Sequence, residues 1–160
     1  MLDTSTENRM LDSTLDNNSG NDFDASGESS NYLINHSEDP SVSLSSATLF
    51  RQWYVDVNVT TNESAQLSNA NVTIYDNNGD QEISEKTGDD GTIKLTLSEY
   101  QQTTLATTYL TSHNITAFHD AFSDSINNTV INLSQTNNTN TTLSLSLDCT
   151  SPNVETHASI

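Results

Sequence analysis

Apolar side chains at every second position are the feature that most constrains what this chain can fold into. Trp53, Val55, Val57 and Val59 alternate with polar neighbours. Successive side chains of a β-strand point to opposite faces of a sheet, so this alternation predicts a strand with one buried face. The pattern returns at Ala70, Val72 and Ile74; at Ile93, Leu95 and Leu97; at Ile115 and Ala117; at Thr129, Ile131 and Leu133; and at Leu143, Leu145 and Leu147.

A short returning strand that begins at Ile83 brings the prediction to about seven strands in roughly 100 residues. No stretch of the chain predicts a helix. The fold class predicted is therefore all-β, an antiparallel sandwich of the immunoglobulin or prealbumin type. Its predicted core consists of Trp53, Val55, Val57, Val72, Ile74, Ile93, Leu95, Leu97, Ile131, Leu133, Leu143 and Leu145.

The connections between these strands carry turn signals. Asn78-Gly79 predicts a hairpin, because both central residues of a type I′ turn need positive φ. Asp89-Asp90-Gly91 predicts a second tight turn. The Thr/Gln-rich residues 99–112 are interpreted as a long loop, and Phe118 and Phe122 are expected to cap one end of the core.

Residues 1–48 are acidic and rich in Ser and Asn, with short apolar islands such as Phe23 and Tyr32-Leu33-Ile34. Island spacings of roughly eight to ten residues suit the coils of a parallel β-helix, while the composition equally suits disorder. We divide the chain into this polar segment, a sandwich domain at 49–148, and residues 149–160. The last segment is interpreted as a linker and the start of a further domain.

The charge balance excludes several classes of partner. The chain has 4 Lys and Arg against 22 Asp and Glu, a net charge of −18. Nucleic acids and anionic membrane surfaces are excluded as partners, because both require cationic side chains. No apolar run approaches membrane-spanning length, so no membrane insertion is expected within this chain. The negative charge is best explained by a solvated outer surface, and binding of divalent cations is the less favoured explanation.

Three segments of the predicted sandwich carry a family resemblance: WYVDVNV at 53–59, LSNANVTIYD at 67–76 and KTGDDGTI at 86–93. They resemble the prealbumin-like sandwiches called carboxypeptidase-regulatory-like or Cna-B-like domains, with motifs A-x-V-x-[IV] and T-x-x-[DN]-G. Polar coils followed by WYVDVNV also resemble surface proteins of methanogenic and related archaea. Some Cna-B-like domains form a Lys–Asn isopeptide bond with a Lys on the first strand. That strand has no Lys here and Lys94 should face solvent, so no such bond is expected.

The glycosylation triplet N-x-S/T occurs ten times, a modest excess over chance, and some of these Asn residues are expected to carry glycans after export. The candidates are Asn17, Asn35, Asn58, Asn62, Asn71, Asn114, Asn127, Asn132, Asn137 and Asn140. Asn58, Asn71 and Asn132 fall on predicted outward-facing positions.

Residue spacing predicts no catalytic, cofactor or metal site. Asp76, Asn78 and Asp80 share the first spacings of a calcium loop, but Gln81 and Thr87 replace its Gly and Glu, so a hairpin turn is favoured. His113 and His119 are interpreted as solvent-facing imidazoles. Cys149 is the single cysteine and cannot form an internal disulfide. No nucleophile motif or phosphate-binding loop is present.

These observations predict a non-catalytic structural module of an extracellular, multidomain surface protein, whose partners are neighbouring domains or copies of itself. Residues 1–4 lack a signal peptide, so the prediction requires export information outside this sequence. A carbohydrate- or protein-binding adhesin is an alternative, with Tyr100 and Tyr109 of the 99–112 loop presented to surface glycans. An accessory domain of a secreted enzyme is a third possibility.

Overall fold

The computed structural model describes residues 7–12, 22–36, 40–122, 126–133 and 141–147, with the backbone alone at 122, 126–128 and 141–147. This part of the chain is nearly all β. Its strands are β1 (Glu7–Leu11), β2 (Phe23–Ser26), β3 (Ser30–Ile34), β4 (Val42–Ser45), β5 (Thr48–Thr61), β6 (Asn71–Tyr75), β7 (Gln81–Lys86), β8 (Thr92–Gln102), β9 (Thr107–Tyr109), β10 (His113–Phe118), β11 (Ile126–Ile131) and β12 (Thr141–Leu147). One turn of 3₁₀-helix, Asp120–Phe122, is the only helical element in these ranges.

β5 organises the first sheet, whose strand order is β1-β3-β5-β8-β9. β3 runs parallel to the beginning of β5, with Ser30 opposite Thr48. β12 runs parallel to the remainder of β5, with Thr141 opposite Val55, and β8 pairs antiparallel along the other edge. The sheet is therefore mixed. Antiparallel pairing, as expected from the sequence, is found between β5 and β8 and throughout the second sheet, β11-β10-β6-β7.

The apolar core lies between the two sheets, because side chains of both contribute to one buried cluster. The cluster contains Trp53, Val55, Val57, Val59, Leu67, Ala70, Val72, Ile74, Leu95, Leu97, Ile115, Ala117, Ile131 and Leu133, with Ile83 and Ile93 packed at its margin. Nine of the predicted core residues are confirmed as buried, and Ile93 is half-buried. The side chains of Leu143 and Leu145 lie outside the described residues.

The strands before residue 48 form two parallel ladders. β1, β3 and the beginning of β5 align in register, and β2 aligns with β4. The division of the chain between residues 48 and 49 stays a prediction; in the structure β5 begins at Thr48 and continues without interruption to Thr61.

Two turns, the Asp76–Asp80 loop and the turn at Gly91, each depend on a glycine with positive φ. The β6–β7 hairpin is confirmed, but only Gly79 has positive φ, so its Asp76–Asp80 loop is longer than a type I′ turn. Gly91 has φ +72°, and a Cβ there would lie 2.8 Å from the backbone nitrogen of Leu67. Thr87, which opens the same turn, is buried and donates to the carbonyl of Leu67 at 2.6 Å.

The interpretation of residues 99–112 as a long loop was wrong. β8 continues through Gln102 and pairs with β9, so the two strands form a hairpin around residues 103–106. Thr107 and Thr108 are compatible with β9 because that strand lies at the edge of the sheet and all three of its residues are exposed. In the described part of the chain, no helix is long and apolar enough to cross a membrane.

A buried ionic junction as the candidate functional site

A β-bulge in β8 places a charged residue inside the protein. Arg51 pairs with Tyr100 and Gln52 pairs with Ser98, so Glu99 has no opposite partner on β5. An extra residue at a bulge breaks the alternation of side chains between the two faces. Ser98, Glu99 and Tyr100 are consequently all buried, although they are consecutive.

Arg51 is completely buried and contacts groups from three parts of the chain. Its Nη2 donates to the carbonyl oxygen of His36 at 3.0 Å, and its Nε lies 3.4 Å from Oε2 of Glu99. The guanidinium lies over the ring of Trp53, 4.9 Å from the centroid, and 5.9 Å from the centroid of Tyr100. Aromatic faces attract a guanidinium most strongly where water is excluded, as it is here.

Glu99 completes this ionic junction, which we define as Arg51, Trp53, Glu99 and Tyr100. Its Oε2 accepts a hydrogen bond of 2.7 Å from the indole nitrogen of Trp53 and faces Arg51. A buried carboxylate is tolerated only when it is paired and hydrogen-bonded, and both conditions are met. Burial raises the pKa of Tyr100, and the nearby Arg51 partly offsets that rise.

The junction lies where two separate buried regions meet along β5. Arg51 stands between Leu49 and Trp53 on the inward face of the strand. Leu49 packs in the ladder region, outside the apolar cluster of the sandwich, whereas Trp53 is the first member of that cluster. Sequence reasoning missed both Arg51 and Glu99. One signal was available, because Arg51 shares the odd-numbered inward positions of Trp53 and Val55.

His113 links the two sheets a short distance from the junction. Its Nε2 lies 2.9 Å from the carbonyl oxygen of Ser98 on β8, and its Nδ1 lies 3.1 Å from Oε2 of Glu82 on β7. The expectation of a solvent-facing His113 was wrong, because the ring is completely buried. β10 carries His113 on the same inward face as Ile115 and Ala117. The alternation of that strand therefore predicts a buried His113.

His119 is half-buried, and its Nε2 lies 3.1 Å from the carbonyl oxygen of Ser68. Its Nδ1 accepts a hydrogen bond from the backbone of Ala121 at 3.1 Å. Within the described residues, no group of three or more His, Cys, Asp or Glu side chains is arranged to hold a metal ion. The structure therefore does not bring the two histidines into a common site.

The Asp76–Asp80 loop uses its own carboxylate internally. Oδ1 of Asp76 accepts hydrogen bonds from the backbone nitrogens of Asn78 and Asp80, and Oδ2 accepts one from the Asn78 amide. Burial opposes ionisation of Asp76, but these hydrogen bonds outweigh it and lower its pKa. The segment forms the hairpin that the sequence favoured, and the Asp76 carboxylate stabilises it from within the loop.

The glycosylation candidates differ in accessibility. Asn62 and Asn132 are exposed, whereas Asn35, Asn58, Asn71 and Asn114 are half-buried. The Asn71 amide donates to Thr73 Oγ1 at 3.1 Å, and Asn132 accepts from Thr111 Oγ1 at 2.9 Å. Backbone alone is described at Asn127, which lies on β11, and Asn17, Asn137 and Asn140 lie outside the described residues.

The hypothesis that two tyrosines of the 99–112 segment face a ligand is corrected in part. Tyr100 is buried and packs edge-to-face against Tyr109, with ring centroids 5.8 Å apart. Only Tyr109 is exposed, and it lies on β9. This segment therefore presents one aromatic side chain rather than a pair.

Comparison with known proteins does not assign this chain to a family. No protein-family model matches the chain, and neither does any curated protein. The resemblance to carboxypeptidase-regulatory-like and Cna-B-like domains accordingly stays a prediction, supported by the motifs at residues 53–59, 67–76 and 86–93.

Proposed function

We propose that this chain is a rigid, non-catalytic structural module of an extracellular, multidomain surface protein or assembly. The observation that carries the proposal is β5, which belongs to the parallel ladder through Gln52 and to the sandwich core from Trp53 onward. A strand common to both regions leaves no linker between them. A module built in this way transmits load from one region to the other without a hinge.

The parallel ladders support a finer proposal, that residues before 48 are coils of a β-helix joined to the sandwich. Equivalent residues stack on successive strands, as expected of β-helix coils. Asn8 donates to Asn31 at 3.0 Å, and Arg9, Tyr32 and Phe50 align across β1, β3 and β5. The combination of such coils with WYVDVNV at 53–59 is the arrangement that resembles archaeal surface proteins.

The contacts of two carboxylates, the buried Glu99 and the more exposed Glu82, support a non-catalytic role. Glu99 is paired with Arg51 and Trp53, and Glu82 contacts His113. A general acid or base must reach a proton on a bound substrate. The carboxylate of Glu99 instead contacts other residues of the chain inside the protein, which suits a role in positioning strands.

The exposed surface suits an extracellular position. The net charge of −18 maintains solubility, and the exposed candidates Asn62 and Asn132 are the positions at which we expect glycans first. Neighbouring domains or further copies of the chain are the proposed partners.

Two experiments test the proposal. Single-molecule stretching of the full chain, placed between marker domains, should give one unfolding event that releases the ladder and the sandwich together. Two well-separated events would contradict a module without a hinge. Immunogold labelling of intact source cells with antibodies against the chain should mark the outer surface, and labelling confined to permeabilised cells would overturn the extracellular assignment.

A further inference from the structure

A groove lined by strands of both sheets, β3, β5 and β8 of the first and β7 of the second, has the form of a small-ligand site. It encloses about 290 Å³, and its lining includes Tyr32, Phe50, Gln52, Glu82, Thr96 and Ser98. This volume is near the lower limit for ligand pockets, which suits a single ring-sized group. A larger depression of about 540 Å³ is lined by 44–48 and 103–105 and contains neither aromatic nor charged side chains.

The aromatic wall of the groove is preorganised. Tyr32 and Phe50 are stacked with ring centroids 5.1 Å apart and an interplanar angle of 13°. The Arg9 guanidinium lies 5.2 Å from the centroid of Tyr32, and the three residues are in register on adjacent strands. Both rings remain partly exposed. A ligand that contacts them encounters side chains that are already ordered, which reduces the entropic cost of binding.

The polar wall is also fixed before any ligand arrives. Nε2 of Gln52 donates to Oγ of Ser98 at 3.0 Å, which holds the amide beside the rings. The Glu82 carboxylate lies 3.1 Å from Nδ1 of the buried His113. With the half-buried hydroxyl of Thr96, the groove combines aromatic surface with an amide, a carboxylate and hydroxyls.

The charge of the groove disfavours an anionic ligand, and the Arg9 guanidinium against the Tyr32 ring disfavours a cationic group at the aromatic wall. Glu82 lies in the wall, and the whole chain carries −18, so an anionic ligand is repelled. Arg9, the cation nearest the stacked rings, is paired with Glu7 at 2.7 Å. A ligand with an apolar face for the rings and several hydroxyls for the polar groups fits both walls.

We propose that this groove binds one neutral pyranose residue of a surface glycan. The inference goes beyond the structural role proposed above and does not depend on it, because a module of any origin could carry this site. The parts of Phe50 and Tyr32 that stay exposed beside their mutual stacking contact C–H groups of the sugar, while Gln52, Glu82 and Thr96 hydrogen-bond its hydroxyls.

The test is NMR titration of the full, isotopically labelled chain with neutral methyl glycosides of glucose, galactose, mannose and N-acetylglucosamine, and with a methyl uronate. At least one neutral glycoside should shift the Gln52 side-chain amide and the Thr96 and Ile83 backbone amides, whereas the uronate should not. Failure of every neutral glycoside, or shifts confined to other parts of the chain, would overturn the proposal.

Two variants of groove residues and one matched control sharpen the result. Phe50→Leu keeps an apolar side chain in the ladder and should weaken binding at least tenfold. The matched control is Tyr54→Leu, an aromatic on the same strand and face that lies under Lys94, and it should leave affinity within twofold. Equal losses of affinity in Phe50→Leu and Tyr54→Leu would contradict the site.

Glu82→Gln tests the charge selectivity of the groove. This variant should still bind the neutral sugar and should also bind the uronate; continued exclusion of the uronate would contradict the charge-based selectivity.

Discussion

The two halves of β5 are stabilised in different ways. From Trp53 onward, the inward side chains are aromatic or aliphatic and join one apolar cluster between two sheets. Before that point the strand belongs to a parallel ladder, where buried Leu33 and Leu49 accompany the polar Asn31. One continuous backbone thus combines a core held by apolar burial with a ladder held by stacking of equivalent residues. The ionic junction at Arg51 and Glu99 stands at the transition.

The largest effect is expected from breaking that junction. Arg51→Met leaves the Glu99 carboxylate buried beside Trp53 without its ion-pair partner, which should lower the free energy of unfolding by about 3–5 kcal/mol. Urea denaturation followed by Trp53 fluorescence measures the change. The double variant Arg51→Met/Glu99→Leu should recover most of the loss. A single variant that costs less than about 1 kcal/mol would show that the pair contributes little.

A smaller effect is expected from the sandwich core alone. Leu97 is completely buried in the apolar cluster, so Leu97→Ala should cost about 2–4 kcal/mol through lost burial and the cavity left behind. Thermal or urea unfolding gives the value, with Thr96→Ala on the opposite face of the same strand as the control. If both substitutions cost the same, the assignment of the inward face of β8 would be wrong.

Within the ladder, Asn31→Ala is expected to have a more local effect of about 1–3 kcal/mol. Asn31 accepts a hydrogen bond from Asn8 and donates to the carbonyl of Thr48 at 3.2 Å, and both are lost on substitution. Native-state hydrogen exchange should show faster opening of β1 and β3, with β8 amides unchanged. Equal acceleration of the β8 amides would show that the loss of Asn31 acts through global unfolding rather than through local opening of β1 and β3. The exposed Asn62→Ala is the control.

The smallest effect concerns acid pH. The folded pKa of Asp76 lies below the ordinary value of 3.8, so its stabilising contribution is complete above that value and is lost as pH falls through the folded pKa. Asp76→Asn should therefore flatten the dependence of hairpin stability on pH below about 4. Exchange of the Asn78 and Asp80 amides at several acidic pH values measures this, with the exposed Asp80→Asn as control. An unchanged pH profile would contradict the proposed role of the carboxylate.

Alternation of apolar and polar residues predicted the buried positions of much of the sandwich, and it failed at the bulge in β8 and at Arg51. Val55, Val72 and Leu97 are buried as predicted because each lies in a stretch of sequence where apolar residues occupy alternate positions. The bulge at Glu99 could not be predicted from alternation, since it depends on pairing with a strand about 48 positions earlier. Arg51 was missed because the chemistry of a lone Arg favours solvent, and its burial requires partners that only the fold assembles.

The N-terminal segment shows a different limit. Composition alone could not distinguish disorder from β-helix coils in residues 1–48. Parallel pairing joins segments that are separated in sequence, and neither segment alone carries a pattern that indicates its partner. In the described part of that segment, four strands pair in register. The groove was also missed, since Tyr32, Gln52 and Glu82 come from three strands and no spacing along the chain relates them.

The parallel pairing of β12 with β5 has a consequence for how the chain is made. Thr141 lies opposite Val55, about 86 positions earlier in the sequence. Contacts between such distant positions form late, because a long loop must be closed before they contribute any stability. During synthesis, the edge of β5 that pairs with β12 therefore stays unpaired until residues 141–147 have been made. Maturation of the first sheet is completed from the C-terminal side, and the ladder and the β5–β8 pair can be in place before that final strand is added.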